Sequence, residues 1–351
     1  MISRLPHSSF GAKHFSTTAC AAKISTLLFA IQGEALRLNP DTALSLITAL
    51  IQLGRSPPSS RVEEILMRHD SNVDDVFSLA IVCSRDPQSK ELIKPLLEIA
   101  ASGGHGRATI MLLNSAQHNG TLQSSKNQTL LKHAKSLADH GNANALLFEV
   151  TLESSKREKL RLLHQIIQLD VNNDNVTSIS EAYLSLGKYK LDRGDAAGAI
   201  TLLRRAAGLK QPKAHLYLAR LAKPDSEAQH QHLRLAASAN DPQAVYNLAA
   251  FYLRQTTRKA QQYSIDSDTL RQLAEDLYIQ SARSGYLISR FMIAILMQNK
   301  GRSAESFQLL LQCEAEIKNF NPDICQHFQE VKANWNTPGY TAPILPIPVW
   351  K

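Results

Sequence analysis

The sequence predicts an all-α fold, an α-solenoid of antiparallel helix pairs. Two recurring phrases and the composition carry that prediction. The first phrase is a small residue, three unconstrained positions, an aliphatic residue and a second small one: Ala182…Leu186-Gly187, Ala214…Leu218-Ala219, Ala244…Leu248-Ala249 and Ser289…Ile293-Ala294. The second is a pair of small residues seven apart with a turn between them: Ala101/Ala108, Ala138/Ala145, Ala207/Ala214, Ala237/Ala244 and Ala282/Ser289. Units of roughly 30 to 45 residues that each repeat a helix, a turn and a helix stack into a continuous array. The 351-residue chain is 44% hydrophobic but only 6% aromatic, so its core is built from Ala and Leu. Small contact residues let helices approach closely, whereas a β-rich fold draws on Val, Ile and aromatic side chains.

Taken in order, the chain begins with 33 residues that hold no Asp or Glu, while Arg4, Lys13 and Lys23 sit among Ser, Thr, Ala and Phe. A basic, hydroxyl-rich, acid-poor leader reads as a mitochondrial transit peptide, assigned to residues 1–23. It places the protein in mitochondria, in the matrix or on the matrix face of the inner membrane. The stretch from Lys13 to Thr18 resembles fungal presequence processing sites, with Lys where Arg is usual. The plain alternative is an ordinary disordered N-terminus. No apolar run long enough for a transmembrane helix follows.

Residues 24–60 form an N-terminal helical hairpin and linker. Ile24 to Leu38 has helical periodicity, and a second helix runs from about Asp41 to Leu53 with Asn39 or Asp41 as its cap. Two prolines in Arg55-Ser56-Pro57-Pro58-Ser59-Ser60 end it. The solenoid proper spans 61–335, with short helices between turns at Asp70-Ser71-Asn72, Asp86-Pro87, Gly103-Gly104, Gly141-Asn142, Gly194-Asp195, Gln211-Pro212, Asn240-Asp241-Pro242, Gly285 and Gly301. Gly and Asn there accept the left-handed conformation that closes a helix. The polar stretch Asp170 to Asn175 supplies a further boundary inside the 69-residue gap from Ala138 to Ala207. Residues 336–351 form an extended tail, since four prolines exclude a helix. Ile344, Leu345, Ile347, Val349 and Trp350 make it too apolar for a free end. It reads as a cap over the last helices; the alternative is a docking peptide.

The unit from Glu181 to Pro212 places Tyr183, Leu186-Gly187, Ala199, Leu203 and Ala206 at the offsets of the tetratricopeptide pattern. Gly187 and Ala199 let two antiparallel helices approach, and Leu186 and Leu203 fill the seam, so bulk at Gly187 wedges the hairpin apart. Gln243-Ala244-Val245-Tyr246-Asn247-Leu248 resembles the opening of the related Sel-one-like repeat, whose irregular spacing matches steps of 32, 30 and 45 residues here. The chain thus resembles the tetratricopeptide and Sel-one-like proteins of fungal mitochondria, among them a peripheral matrix factor that assists insertion of a cytochrome oxidase subunit. In such arrays the first helix of each pair lines a concave groove. The resemblance then places Lys188, Lys213, Tyr217, Arg220, Gln243, Tyr246 and Asn247 on or near that groove. Some relatives clamp a peptide carboxylate with Lys, Asn and Arg; this chain matches only at Asn247. What remains is a cationic and aromatic groove suited to an acidic or amphipathic segment, against the plainer reading of solvated helix faces and packing tyrosines.

Other chemistries find little support. The net charge of +8 fits a matrix protein, an RNA binder or a binder of acidic surfaces. Lys156-Arg157, Lys159-Arg161 and Arg204-Arg205 are basic clusters, yet no polar code recurs at a fixed repeat spacing as base-reading repeats require. None of the 12 histidines forms HExxH or another ligand spacing; His230 and His232, two apart, point to different helix faces. Cys20, Cys83, Cys313 and Cys325 form no CxxC pair. No phosphate loop, GxSxG or GxGxxG occurs, so no catalytic residue, cofactor or metal is assigned. The polar insertion Gln255 to Asp268, with Arg258 and Lys259, is either a binding loop or inexpensive extra length.

The expectation is a non-enzymatic scaffold assisting assembly, membrane insertion or maturation of an inner-membrane or respiratory-chain protein. Its partner is a protein client, with peripheral association to the inner membrane. The alternative is a helical-repeat factor for mitochondrial RNA or mitoribosome-linked gene expression.

Overall fold

A computed structural model describes residues 45–46, 48–50, 58–68, 71–85, 90–258, 266–301, 303–318, 322–337 and 339–342. The leader, the helix expected over 24–38 and the tail beyond Ala342 lie outside the described residues. Among the described residues every regular element is an α-helix. The all-α prediction therefore holds, with neighbouring helices packed in sequential pairs as in a solenoid. Of the helix expected over 41–53, residues 45–46 and 48–50 are helical, with Leu46 and Leu50 buried.

The chain divides into two compact units, one through Glu158 and one from Lys159. The first contains α1 (Ser59–Arg68), α2 (Val73–Arg85), α3 (Lys90–Ser102), α4 (Gly106–His118), α5 (Ser125–Asp139) and α6 (Ala143–Leu152). Helix α7 (Lys156–Ile166) spans the division. The second unit continues with α8 (Val176–Asp192), α9 (Ala196–Gly208), α10 (Pro212–Leu221), α11 (Glu227–Ala237), α12 (Pro242–Arg258), α13 (Ser267–Arg283), α14 (Leu287–Asn299), α15 (Ser303–Ile317) and α16 (Pro322–Asn334). The expected boundary at Asp170 to Asn175 is the turn before α8. The Asn172 side chain accepts from the Asp174 and Asn175 amides there, and the Asn175 side chain donates to the Asp170 carbonyl.

The seven-residue interval has a local cause. Three residues after the first small residue comes one with positive φ in every copy: Gly104 at 92°, Gly141 at 80°, Lys210 at 61°, Asn240 at 57° and Gly285 at 89°. That left-handed residue turns the chain so that the next amide reaches back to the end of the preceding helix. His105 N donates to Ala100 O at 2.9 Å, Asn142 N to Leu137 O at 2.9 Å, Gln211 N to Ala206 O at 3.1 Å and Tyr286 N to Ser281 O at 3.1 Å. The residue after the left-handed one then caps the following helix. His105, Asn142 and Asp241 each accept through their side chains from the amide three residues on, that of Ala108, Ala145 and Ala244. This capped position is driven into the preceding helix, which is why it must be small: Ala108, Ala145, Ala214, Ala244 and Ser289 are all fully buried.

Gly141 faces open space, so its requirement is conformational alone. Gly141→Ala should lower stability of the N-terminal unit by about 1 kcal/mol. Lys210→Gly, which relieves the same left-handed strain, should raise that of the C-terminal unit by up to about 1 kcal/mol. Chemical denaturation of each variant reads both signs.

The α8/α9 hairpin shows why the tetratricopeptide-like offsets matter. A Cβ on Gly187 would lie 2.9 Å from both Cγ and Cδ2 of Leu203. Leu186, Gly187, Ala199 and Leu203 are all buried. The apolar seam formed by Leu184, Ala199, Leu203, Ala206, Ala214 and Leu218 contributes about 1.5–3 kcal/mol for each leucine removed from water. Asp195 caps α9, accepting from the Gly198 amide at 2.8 Å and from the Lys190 ammonium at 2.9 Å. The Lys190 hydrogen bond, with help from the Gly198 amide, holds its carboxyl below the usual carboxylate range. A carboxyl with a depressed folded pKa stabilises above its unfolded pKa of about 3.9 and loses that contribution as pH falls through the folded value. Asp195→Asn keeps a capping acceptor but should flatten the acid limb of the thermal midpoint measured between pH 5 and 2, both settings being about those limits.

At the C-terminal end Phe291, Phe328 and Trp335 share one core with Tyr246 and Tyr278. The chain leaves α16 and folds back: Gln298 donates to the Trp335 carbonyl and Asn299 to the Ala342 carbonyl, each at 3.1 Å. Ala342 is buried and Tyr340 packs against the same core. Ala342 thus closes on the end of α14, while Ile344 to Trp350, on which the capping reading rests, lie outside the described residues.

Candidate functional site

The first helices of the C-terminal pairs are α8, α10, α12 and α14. In the last three pairs charge is sorted between the two helices, whereas α8 carries Glu181 and Asp192 and its partner α9 carries no carboxylate. Helices α10, α12 and α14 contain no Asp or Glu, whereas α11, α13 and α15 carry Glu227, Asp268, Glu275, Asp276, Glu305, Glu314 and Glu316. Lys188 of α8 and Lys213 and Arg220 of α10 are exposed. Tyr217 is half-buried between them, with the Lys188 ammonium 5.7 Å from its ring centroid. That contact joins α8 to α10 and holds one cation over an aromatic face, an arrangement that a carboxylate-bearing segment can bridge.

The other three expected groove residues fall elsewhere. Gln243 is half-buried, at the start of α12. Tyr246 and Asn247 are 1% and 0% exposed, which corrects their placement on a groove. Helix α12 lies between α11 and α13 and also meets the start of α14, leaving little of its circumference open. Tyr246 packs with its ring centroid 5.4 Å from Tyr278 of α13 and 5.4 Å from Tyr286 at the α14 cap. Burial raises the Tyr246 hydroxyl pKa well above its ordinary value, so the residue is a core member. The α12 helix is also longer than expected. It runs through Gln255, which is 2% exposed, to Arg258. The polar insertion accordingly shrinks to its middle, and residues 259–265 lie outside the described residues.

A clamp that sequence reading missed sits behind α12. Arg254 Nε donates to Asp225 Oδ1 at 2.8 Å, with side-chain exposures of 16% and 15%. Asp225 lies in the α10–α11 turn at φ 57°, and its amide donates to Gln229 Oε1. The Gln229 side chain in turn donates to the Ala219 carbonyl. One charge pair therefore ties the end of the first-helix surface to the next repeat.

His230 and His232 do face different ways, as their spacing requires. His230 stacks on Phe251 of α12 at 5.0 Å and hydrogen-bonds the Tyr252 hydroxyl at 3.0 Å. His232 meets His215 of α10 instead. Arg204 and Arg205 are exposed on α9, a second helix of its pair, as expected. Cys83 and Cys313 are buried and Cys325 is half-buried, none of the three in a disulfide; burial pushes the Cys313 thiol up to about 11. A cleft of ≈ 1210 Å³ between α3, α4 and α5 of the N-terminal unit has no counterpart in the sequence reading. Ile93, Leu97, Met111, Leu112 and Leu130 line it under a rim of amides, hydroxyls and the charged Lys90, Lys94 and Glu98. Among the described residues no helix is long and apolar enough to cross a membrane.

No protein-family model matches the chain, and no curated protein matches its sequence. The fold and its surface define an all-α helical-repeat protein compatible with a tetratricopeptide-like arrangement.

Proposed function

We propose that the chain is a non-enzymatic mitochondrial scaffold that holds an acidic or amphipathic segment of a protein client. The client is an inner-membrane or respiratory-chain protein undergoing assembly, insertion or maturation, and the scaffold associates peripherally with the membrane that receives it. The charge sorting of the last three helix pairs, together with the cations around Tyr217, carries this reading. An acidic segment meets Lys188, Lys213 and Arg220 beside Tyr217, with no carboxylate on α10, α12 or α14 to repel it. The acid-free, hydroxyl-rich leader supplies the compartment.

The same cationic face favours phosphate, so a second reading is binding to mitochondrial RNA or the mitoribosome. One experiment separates them: crosslinking and affinity capture of the C-terminally tagged full chain from mitochondria, in nuclease-treated and untreated halves. Nuclease-resistant recovery of inner-membrane or respiratory-complex proteins is the expected result. Loss of every partner on nuclease treatment would move the protein into mitochondrial gene expression.

A further inference from the structure

His215 and His232 lie on the two arms of the α10/α11 hairpin. Their Nδ1 atoms are 3.2 Å apart, with ring centroids 5.4 Å apart and planes inclined by 30°. Two neutral imidazoles hold that distance when one donates its Nδ1 hydrogen to the other's lone pair. The same positions suit a second arrangement. A tetrahedral cation with metal–nitrogen bonds of about 2.0–2.1 Å keeps two ligand nitrogens about 3.4 Å apart. The hairpin thus already presents two imidazole nitrogens at nearly the spacing of adjacent metal ligands, from two helices whose packing fixes them.

We propose that His215 and His232 chelate a borderline divalent cation of the copper(II), nickel or zinc class through their Nδ1 atoms. Binding needs no net proton release at neutral pH. The hydrogen shared between the Nδ1 atoms moves through solvent to the Nε2 of its own ring, and both Nδ1 lone pairs pass to the metal. Both rings are half-buried, so water completes the coordination shell. Burial lowers the proton affinity of both, aided at His215 by its partner and at His232 by Arg204 of α9, which keeps the rings in the neutral form that ligates metals. Arg204 also repels the incoming cation and limits affinity. Among the described residues no group of three or more His, Cys, Asp and Glu converges, so the site is a two-ligand chelate. Its metal preference follows ligand type and the usual order, with copper(II) tightest and magnesium excluded.

The test titrates the full chain with copper(II) chloride, then zinc chloride, at neutral pH. It is followed by calorimetry, by the electron paramagnetic resonance of bound copper and by the thermal midpoint. His215→Gln and His232→Gln are compared with His164→Gln, an exposed histidine on α7. The expected result is a saturable equivalent of copper with two nitrogen ligands and a rise in midpoint with zinc. Each of the first two variants should weaken that equivalent at least about tenfold while keeping its helical circular dichroism, and His164→Gln should leave it intact. No saturable equivalent, or one that survives in His215→Gln or His232→Gln, would overturn the proposal and leave the pair as a shared-hydrogen contact only.

Discussion

Gly187→Leu should destabilise the C-terminal unit by about 3 kcal/mol, among the largest losses expected of any single substitution in this chain. Even one added carbon would stand 2.9 Å from Leu203, which is fully buried. Four added carbons must therefore separate α8 from α9, and the seam around Leu184, Ala199 and Ala206 opens with them. Gly187→Ala should cost much less, because alanine returns about 1 kcal/mol of helix propensity. Denaturant unfolding reads the loss, and hydrogen exchange in α8 and α9 locates it. Pairing the leucine with Leu203→Ala should recover part of the loss, because the two side chains compete for one space.

Arg254→Met should cost about 3 kcal/mol, for a different reason. The Asp225 carboxylate would lose its guanidinium partner in a setting only 15% exposed. A charge stranded there costs more than the pair contributes when intact. Asp225→Asn in the methionine background should regain stability, since asparagine tolerates the left-handed backbone at φ 57° and carries no charge. A thermal midpoint for the double variant no higher than for Arg254→Met alone would contradict this account of the clamp.

The parts of the fold legible in the sequence are those with local causes. The left-handed turn, the cap and the buried small residue all fall within eight consecutive positions, so the interval from Ala138 to Ala145 reads directly as a helix boundary. Lys188, Lys213 and Arg220 were readable as surface for a similar reason: long charged side chains keep their heads in water. Tyr246 and Asn247 were not. Their burial depends on Tyr278 and Tyr286, which arrive from later elements, and helical phase alone cannot show how many neighbours α12 has. The His215–His232 pair was hidden because each histidine was weighed against its own helix. Folding the hairpin about its turn sets Ala219 against Gln229, as their hydrogen bond records, and the same antiparallel register brings His215 opposite His232. The clamp from Arg254 to Asp225 crosses repeats and left no local trace.

The central claim is that the cationic first-helix face of the C-terminal unit holds a protein client. Its most direct test compares capture from mitochondria by the tagged wild-type chain and by a Lys188→Glu, Lys213→Glu, Arg220→Glu variant. All three positions are exposed, so the variant should keep its helical circular dichroism and thermal midpoint. The account predicts that recovery of nuclease-resistant partners falls at least about tenfold. Wild-type recovery by the folded triple variant would contradict it.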